Sequence, residues 1–312
     1  MCSALVIPSL DKGKAELSSA EAIFPWTDDE GYKGALVNAM RHVRSKGKVI
    51  GSELALNLGQ MDQFKSALDT TNFVAISEEI SSLRQIKDQE EIELTKKAAK
   101  VLSTTYKEIP DIIREGQSEA EASHNIRLSL IKKGAYEIDF CAVQSGENSA
   151  VPHSQVTQRK IKKGDIIVID ITCTNRDGYY SDFTRTFVVG KPTREKEKVY
   201  EVVREAQRLG REACVSGAQI KEIDQAAREK ITKAGYGKYF THRTGHGLGL
   251  DVHEAPWIRG DNEHELERDM IFTVEPGVYL QGKFGIRIED DIVMQKKTGE
   301  NITLLGHELP VI

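Results

Sequence analysis

Hydrophobic positions recur in two different rhythms along this chain, and the change of rhythm divides it. Over residues 1–83, short apolar runs at 4–7 and 48–51 alternate with amphipathic stretches at 29–46 and 59–68, the pattern of a small α/β unit. The first apolar run begins almost at Met1, with no leading element to cover its sheet edge, so that either the fold starts elsewhere or the domain is expected to be abbreviated. Long helical patterns follow. Residues 87–107 are highly charged, yet Ile92, Leu94, Ala98, Ala99 and Leu102 recur on one face. A second helix is predicted after Ser118, where Glu121 completes a capping box and Gly134 ends the pattern. Strands at 166–172 and 179–189 flank the turn signal Asn175-Arg-Asp-Gly and predict a β-hairpin. The order then repeats: helices at 195–215 and 220–234, the latter stopped by Gly235, then strands near 271–275 and 284–294. An internal duplication would wrap the strands of two halves into one curved antiparallel sheet, backed by helices, with a cleft on its concave face. The predicted class is α+β, with domains at 1–83 and 84–312.

Composition narrows the function classes. The chain has 312 residues, 39% hydrophobic and 29% charged, enough to bury a sizeable core. A net charge of -5 and only short basic runs, such as 160–163, leave no nucleic-acid footprint. No apolar run approaches the roughly 18 residues a membrane span requires. Cysteines at 2, 141, 173 and 214 have no paired short spacing, and no signal-peptide pattern precedes them, which favours a reducing cytoplasm. The expected partner is a small molecule, a peptide or another subunit.

Asp170 and Asp182 each sit inside an apolar strand, where a charge is costly unless compensated. Two facing carboxylates attract a cation. Their separation is even, so an odd number of loop residues, or a bulge using Gly178, would set them opposite on one face. The plainer alternative is a turn cap or a pair with Arg185. Pro276 keeps Glu275 extended. In Gly285-Ile-Arg-Ile-Glu, alternation sends Ile286 and Ile288 to the core and Arg287 and Glu289 to the other face, where an ordinary surface salt bridge is the competing reading. The stretch HRTGHGLGLDVHE, 242–254, has glycines that suggest a nucleotide loop, but no strand leads into a helix here. Glycines also let a backbone approach a ligand closely, with Leu248, Leu250 and Val252 anchoring one side and His246 projecting from the other. His246 with Asp170, Asp182, Glu275 and Glu289 gives one imidazole and four carboxylates. That set suffices for two divalent ions with bridging oxygens and an open position for water.

These motifs resemble those of the pita-bread metallopeptidases, in the branch of Xaa-Pro dipeptidase (prolidase) and aminopeptidase P. The resemblance runs through 242–254, Tyr180-Ser-Asp-Phe-Thr-Arg-Thr, Thr273-Val-Glu-Pro-Gly-Val-Tyr and Gly285-Ile-Arg-Ile-Glu-Asp, and covers roughly residues 84–312. It implies metal ligands Asp170, Asp182, His246, Glu275 and Glu289; catalytic roles for Glu275, His253 and His153; and substrate contacts from His242, Tyr279 and Arg287. The implied reaction is hydrolysis of the peptide bond before proline by a metal-bridging water. Two divalent ions per chain are expected, with Mn²⁺ or Co²⁺ favoured over Zn²⁺ or Fe²⁺ by the oxygen-rich ligands. A cytoplasmic homodimer acting on small Xaa-Pro peptides, with no nucleic-acid or membrane partner, is the corresponding expectation.

Three departures from the family pattern stand out: an interval between Asp170 and Asp182 one residue longer than usual, Asp269 where glycine is usual, and the abbreviated first domain. The alternative activity is aminopeptidase P, which acts on longer peptides; Arg259 or Arg287 holding a terminal carboxylate would favour dipeptides. A catalytically silent peptide-binding module is the reading from another class, and the complete ligand set opposes it. Methionine aminopeptidase and creatine hydrolysis fit the motifs less well. His124, His264 and His307 are assigned no role.

Overall fold

The structure is a computed structural model that describes residues 2–43, 49–68 and 72–312. The chain divides into two compact units, Met1–Ser81 and Ser82–Ile312. The first is built from β1 (Ala4–Pro8), α1 (Lys12–Ala15), β2 (Ala22–Trp26), α2 (Lys33–His42), β3 (Val49–Ser52), α3 (Leu58–Leu68) and β4 (Asn72–Ala75); α4 (Ser77–Gln85) spans the boundary. β1 pairs with β2 and β3 with β4, both parallel. Lys46 and Lys48, expected at the ends of a helix and a strand, lie outside the described residues. β2 escapes the hydrophobic pattern because Pro25 interrupts it, and proline is accommodated only where its missing N–H is not needed by a ladder. α2 starts at Lys33, not 29, because Gly31 at φ 66° closes a turn onto the carbonyl of Thr27.

The second unit opens with α5 (Gln89–Tyr106), α6 (Ile109–Ile112) and α7 (Glu119–Lys132). Asp88 with Glu91, and Ser118 with Glu121, form capping boxes on α5 and α7. β5 (Phe140–Ser145), β6 (Ile166–Thr174) and β7 (Tyr180–Val188) form an antiparallel sheet. Then come α8 (Arg194–Glu212), α9 (Ile220–Lys233) and short strands β8 (Gly245–Gly247), β9 (Glu254–Ile258), β10 (Ile271–Val274), β11 (Gly277–Leu280), β12 (Phe284–Arg287), β13 (Asp290–Met294) and β14 (Gly299–Asn301). Five of these pair in the order β14-β13-β10-β8-β9, while β11 and β12 form a hairpin. The helix-helix-strand order therefore recurs. Leu102, Ile126 and Leu130 pack α5 and α7 onto Ile167, Ile169 and Ile171, while Val199, Val203 and Ile231 pack α8 and α9 onto Val168, Val278 and Ile286. No helix among the described residues is long and apolar enough to cross a membrane.

Two features of strand pairing position the site. The β6–β7 ladder runs without a bulge from Ile166↔Val188 to Thr174↔Tyr180, joined by a five-residue loop, 175–179. Asn175 organises that loop by accepting from the N–H groups of Asp177 and Tyr179, and Gly178 takes a positive φ of 83°. The odd loop thus absorbs the extra residue and the strands stay regular. Asp170 pairs with Thr184 and Asp182 with Thr172, so the two aspartates share a face diagonally; they are not directly opposite. A one-residue slip would exchange the two buried faces of β6, taking Asp170 away from the acidic cluster and into the core beneath α5 and α7, where an unpaired charge is costly.

The second feature is an interruption. The expected strand 284–294 is two strands, because its partner changes from β11 to β10. Pro276, between β10 and β11, has no N–H to give a ladder. Glu275 and Glu289 both sit at this break, and their N–H groups turn to the carbonyls of Thr244 and Thr184. The latter bond also ties the break to β7.

Candidate metal centre

A cavity of about 440 Å³ opens onto Asp170, Asp182, His246, Glu275 and Glu289. Their donor atoms fall into overlapping groups, each with all atoms within 4.8 Å of one another: Asp170, Asp182 and Glu289; His246, Glu275 and Glu289; and Asp182, His246 and His253. Glu289, His246 and Asp182 each belong to two groups, an arrangement with room for more than one ion. His253, expected to contact substrate, lies close enough to donate to a cation as well; its ring is 4.2 Å from that of His246.

Two glycines of 242–254, Gly245 and Gly247, bring the backbone close to neighbouring strands. A Cβ on Gly245 would lie 1.9 Å from the carbonyl oxygen of Thr273, and one on Gly247 2.2 Å from that of Ala255. His246 is thereby inserted between β10 and β9. The expected alternation does not continue: only Leu248 reaches the core, Leu250 is exposed and Val252 lines the cavity. Glu254 anchors the end of the stretch through Lys87, at 2.7 Å, and Arg84, at 2.5 Å.

Like charges make this centre costly. Burial, reinforced by Asp170, Asp291 and Glu275, pushes the Asp182 carboxyl well above its usual range. Burial and the charges of Asp182 and Glu275 do the same to Glu289, against the opposing pull of Arg287. Glu275 rises to about 7, again chiefly by burial. Burial holds His246 and His242 down to about 3, as neutral imidazoles. Converging carboxylates that resist sharing negative charge, beside a neutral imidazole, are the donor chemistry a divalent cation requires.

Around this cluster the other expected residues take distinct positions. Arg287 is buried and reaches Asp170 Oδ2 at 2.5 Å, Tyr279 Oη at 2.8 Å and Thr184 Oγ1 at 3.0 Å; it is no surface salt bridge. Thr184 also donates to Glu289 at 2.7 Å, and Thr172 to Asp182 at 2.9 Å. Arg185 pairs instead with Asp290, so it does not compensate the hairpin aspartates. Tyr279 is buried and is not among the cavity-lining residues; its hydroxyl bridges Arg287 and His242 Nε2, the latter at 3.0 Å. His242, His153 and His253 do line the cavity. Arg259 pairs with Asp261 and is not among the residues that line it. Arg243, which sequence reasoning passed over, lies 4.5 Å over the Trp257 ring, lines the cavity and makes no ion pair among the described residues. Its only sequence signal was its place between His242 and His246.

An α+β unit that gathers buried carboxylates and imidazole into one cleft belongs to the class of divalent-metal enzymes. The model of metallopeptidase family M24 matches residues 93–296. The chain belongs to that family and is a metal-dependent peptidase with the pita-bread fold. It is 36% identical over 263 residues to an Xaa-Pro dipeptidase of Pyrococcus furiosus, covering 84% of this chain and 75% of that protein. Among solved structures, a prolidase from Thermococcus sibiricus is similar at a TM-score of 0.93 and 38% identity, covering 99% of this chain and 84% of that one. An X-Pro aminopeptidase from Thermotoga maritima matches at 0.90 and 33%, covering 100% and 88%.

Proposed function

We propose that this chain is an Xaa-Pro dipeptidase that holds two divalent ions through Asp170, Asp182, His246, Glu275 and Glu289. Divalent ions at such a site supply a water acidic enough to attack near neutral pH and polarise the scissile carbonyl. The remaining chemistry belongs to the chain. Glu275, which lines the cavity within the acidic cluster, takes the proton of the attacking water and delivers it to the leaving nitrogen. His253 and His153 line the same cavity and donate hydrogen bonds to the oxyanion and the substrate. Arg287 fixes Asp170, and through Tyr279 it fixes His242, which contacts substrate. The oxygen-rich ligands favour Mn²⁺ or Co²⁺ over Zn²⁺ or Fe²⁺. We further propose a cytoplasmic homodimer with no nucleic-acid or membrane partner, in which residues 1–83 and 84–312 act as separate domains.

The observation that carries the dipeptidase reading is the unpaired guanidinium of Arg243 in the cavity that holds the carboxylate cluster. A dipeptide ends one residue beyond the scissile bond, so its carboxylate needs a cation there, and neither Arg259 nor Arg287 is free to serve. A longer peptide places an amide at that point. The test is hydrolysis of Ala-Pro and Ala-Pro-Ala by chelated protein reloaded with each metal. Cleavage of Ala-Pro alone is expected. Preference for Ala-Pro-Ala would establish the aminopeptidase activity instead, and no cleavage with any metal would favour a silent peptide-binding module.

A further inference from the structure

Gln144 lies on β5 two residues beyond Ala142, which pairs with Asp170, so by the alternation of a strand its side chain shares the face that carries the acidic cluster. It is fully buried. Its Nε2 lies 2.9 Å from the carbonyl oxygen of Val151, 3.3 Å from that of Pro152 and 3.1 Å from that of Ser154. Three acceptors around one end fix which end of the carboxamide is the nitrogen. The opposite atom, Oε1, is buried and has no hydrogen-bond partner among the described residues. A buried amide that leaves its own oxygen unsatisfied in order to bind three carbonyls of one short loop is costly, and the loop it holds is the one that carries His153 into the cavity. The far end of that loop is tied separately. Glu119, also fully buried, accepts from the Thr157 N–H and hydroxyl at 3.0 and 2.6 Å and from the Ser145 N–H at 2.7 Å.

We infer that Gln144 is a positioning residue for the reaction: it sets His153 over the site by clamping the backbone on both sides of it, with Glu119 holding the loop exit. The inference rests on the proposed role of His153. Gln144→Met keeps the length of the side chain and removes the donor.

The experiment compares wild type, Gln144→Met, His153→Ala and the double variant, each metal-loaded and checked for equal metal content. In Gln144→Met, hydrogen exchange of residues 150–158 should rise and kcat should fall on the order of 10- to 100-fold, the scale of a small misplacement of a reacting group. The same substitution should cost nothing further in the His153→Ala background. An equal loss in both backgrounds, unchanged exchange or an unchanged kcat overturns the inference. Wild-type kcat in His153→Ala overturns the role of His153 and this inference with it, whereas loss in His153→Ala alone sinks only the clamp. Should Gln144→Met fail to fold, Thr157→Val, an exposed substitution that removes one Glu119 bond together with those the hydroxyl accepts from Asn148 and the Arg159 N–H, tests the hold on the loop exit in the same two backgrounds by the same outcomes.

Discussion

The guanidinium of Arg287 donates to Asp170 at 2.5 Å, so the arginine on the acidic face is bound to a carboxylate of the cluster itself. Both groups are buried, and removing one partner of a buried pair typically costs roughly 3–5 kcal/mol. Arg287→Met should therefore lower folding stability on that scale and reduce turnover together. Arg287→Lys keeps the charge but cannot serve Asp170, Tyr279 and Thr184 from one point charge. It should recover stability more than kcat. Urea unfolding and steady-state kinetics on both variants check this, and full recovery of kcat by lysine would show that charge alone matters.

Asp182 is held in a folded position that its own charge opposes, since burial and neighbouring carboxylates all raise its proton affinity. Asp182→Asn keeps the shape and removes the repulsion. In chelator-treated protein, the variant should be at least as stable as wild type, while its metal content and turnover fall by more than the roughly 10- to 100-fold typical of losing an outer partner of a metal ligand. A variant that unfolds more readily than chelated wild type would mean that Asp182 is structural.

The acidic cluster was legible in the sequence because its members interrupt local patterns. Asp170 and Asp182 break apolar strands, and Glu289 follows a two-residue alternation. Their diagonal relation was not legible, because it depends on the five-residue loop count. Gln144 gave no signal: β5 reads as a short mixed run, and the carbonyls it binds are seven to ten residues away. Arg243 lay inside the recognised stretch, yet nothing local distinguishes a cation stacked on Trp257 from a solvated one. The division of the last strand was not legible because its cause, Pro276, lies outside 284–294, between the two partners β10 and β11.

Asp269 has a φ of 68°, the sole non-glycine residue with positive φ among those described. Left-handed backbone costs an ordinary residue about 1–2 kcal/mol, less for aspartate. Its side-chain contacts, to Gln89 and Arg268, are both 3.4 Å long. Asp269→Gly removes the strain but raises the entropy of the unfolded chain by about 0.4–1 kcal/mol. The expected net change is a gain of a few tenths to about 1 kcal/mol, read from the urea midpoint. A clear loss would show that those long contacts outweigh the strain.

His242 is kept neutral by burial, its proton affinity lowered to about 3 from an ordinary 6.5. The unfolded chain binds that proton more readily. The stability from burying neutral His242 is fully present above about pH 6.5 and is lost as pH falls toward 3. His246 behaves in the same way. Between pH 7 and 4.5, chelated His242→Gln should lose stability less steeply than chelated wild type. An unchanged slope would place the proton uptake elsewhere.

Arg243 offers the sharpest test of substrate size. If its guanidinium binds the dipeptide carboxylate, the interaction is a charge-assisted one of about 1.5–3 kcal/mol, equivalent to roughly 10- to 100-fold in KM. Arg243→Ala should raise KM for Ala-Pro by that factor. Ala-Pro amide has no carboxylate, so wild type should already bind it weakly and the variant should bind it no worse. The second comparison separates recognition from packing, because loss of the Trp257 stack would affect both substrates alike. Equal penalties on the acid and the amide would therefore remove Arg243 from carboxylate binding and leave it a support for the cavity wall.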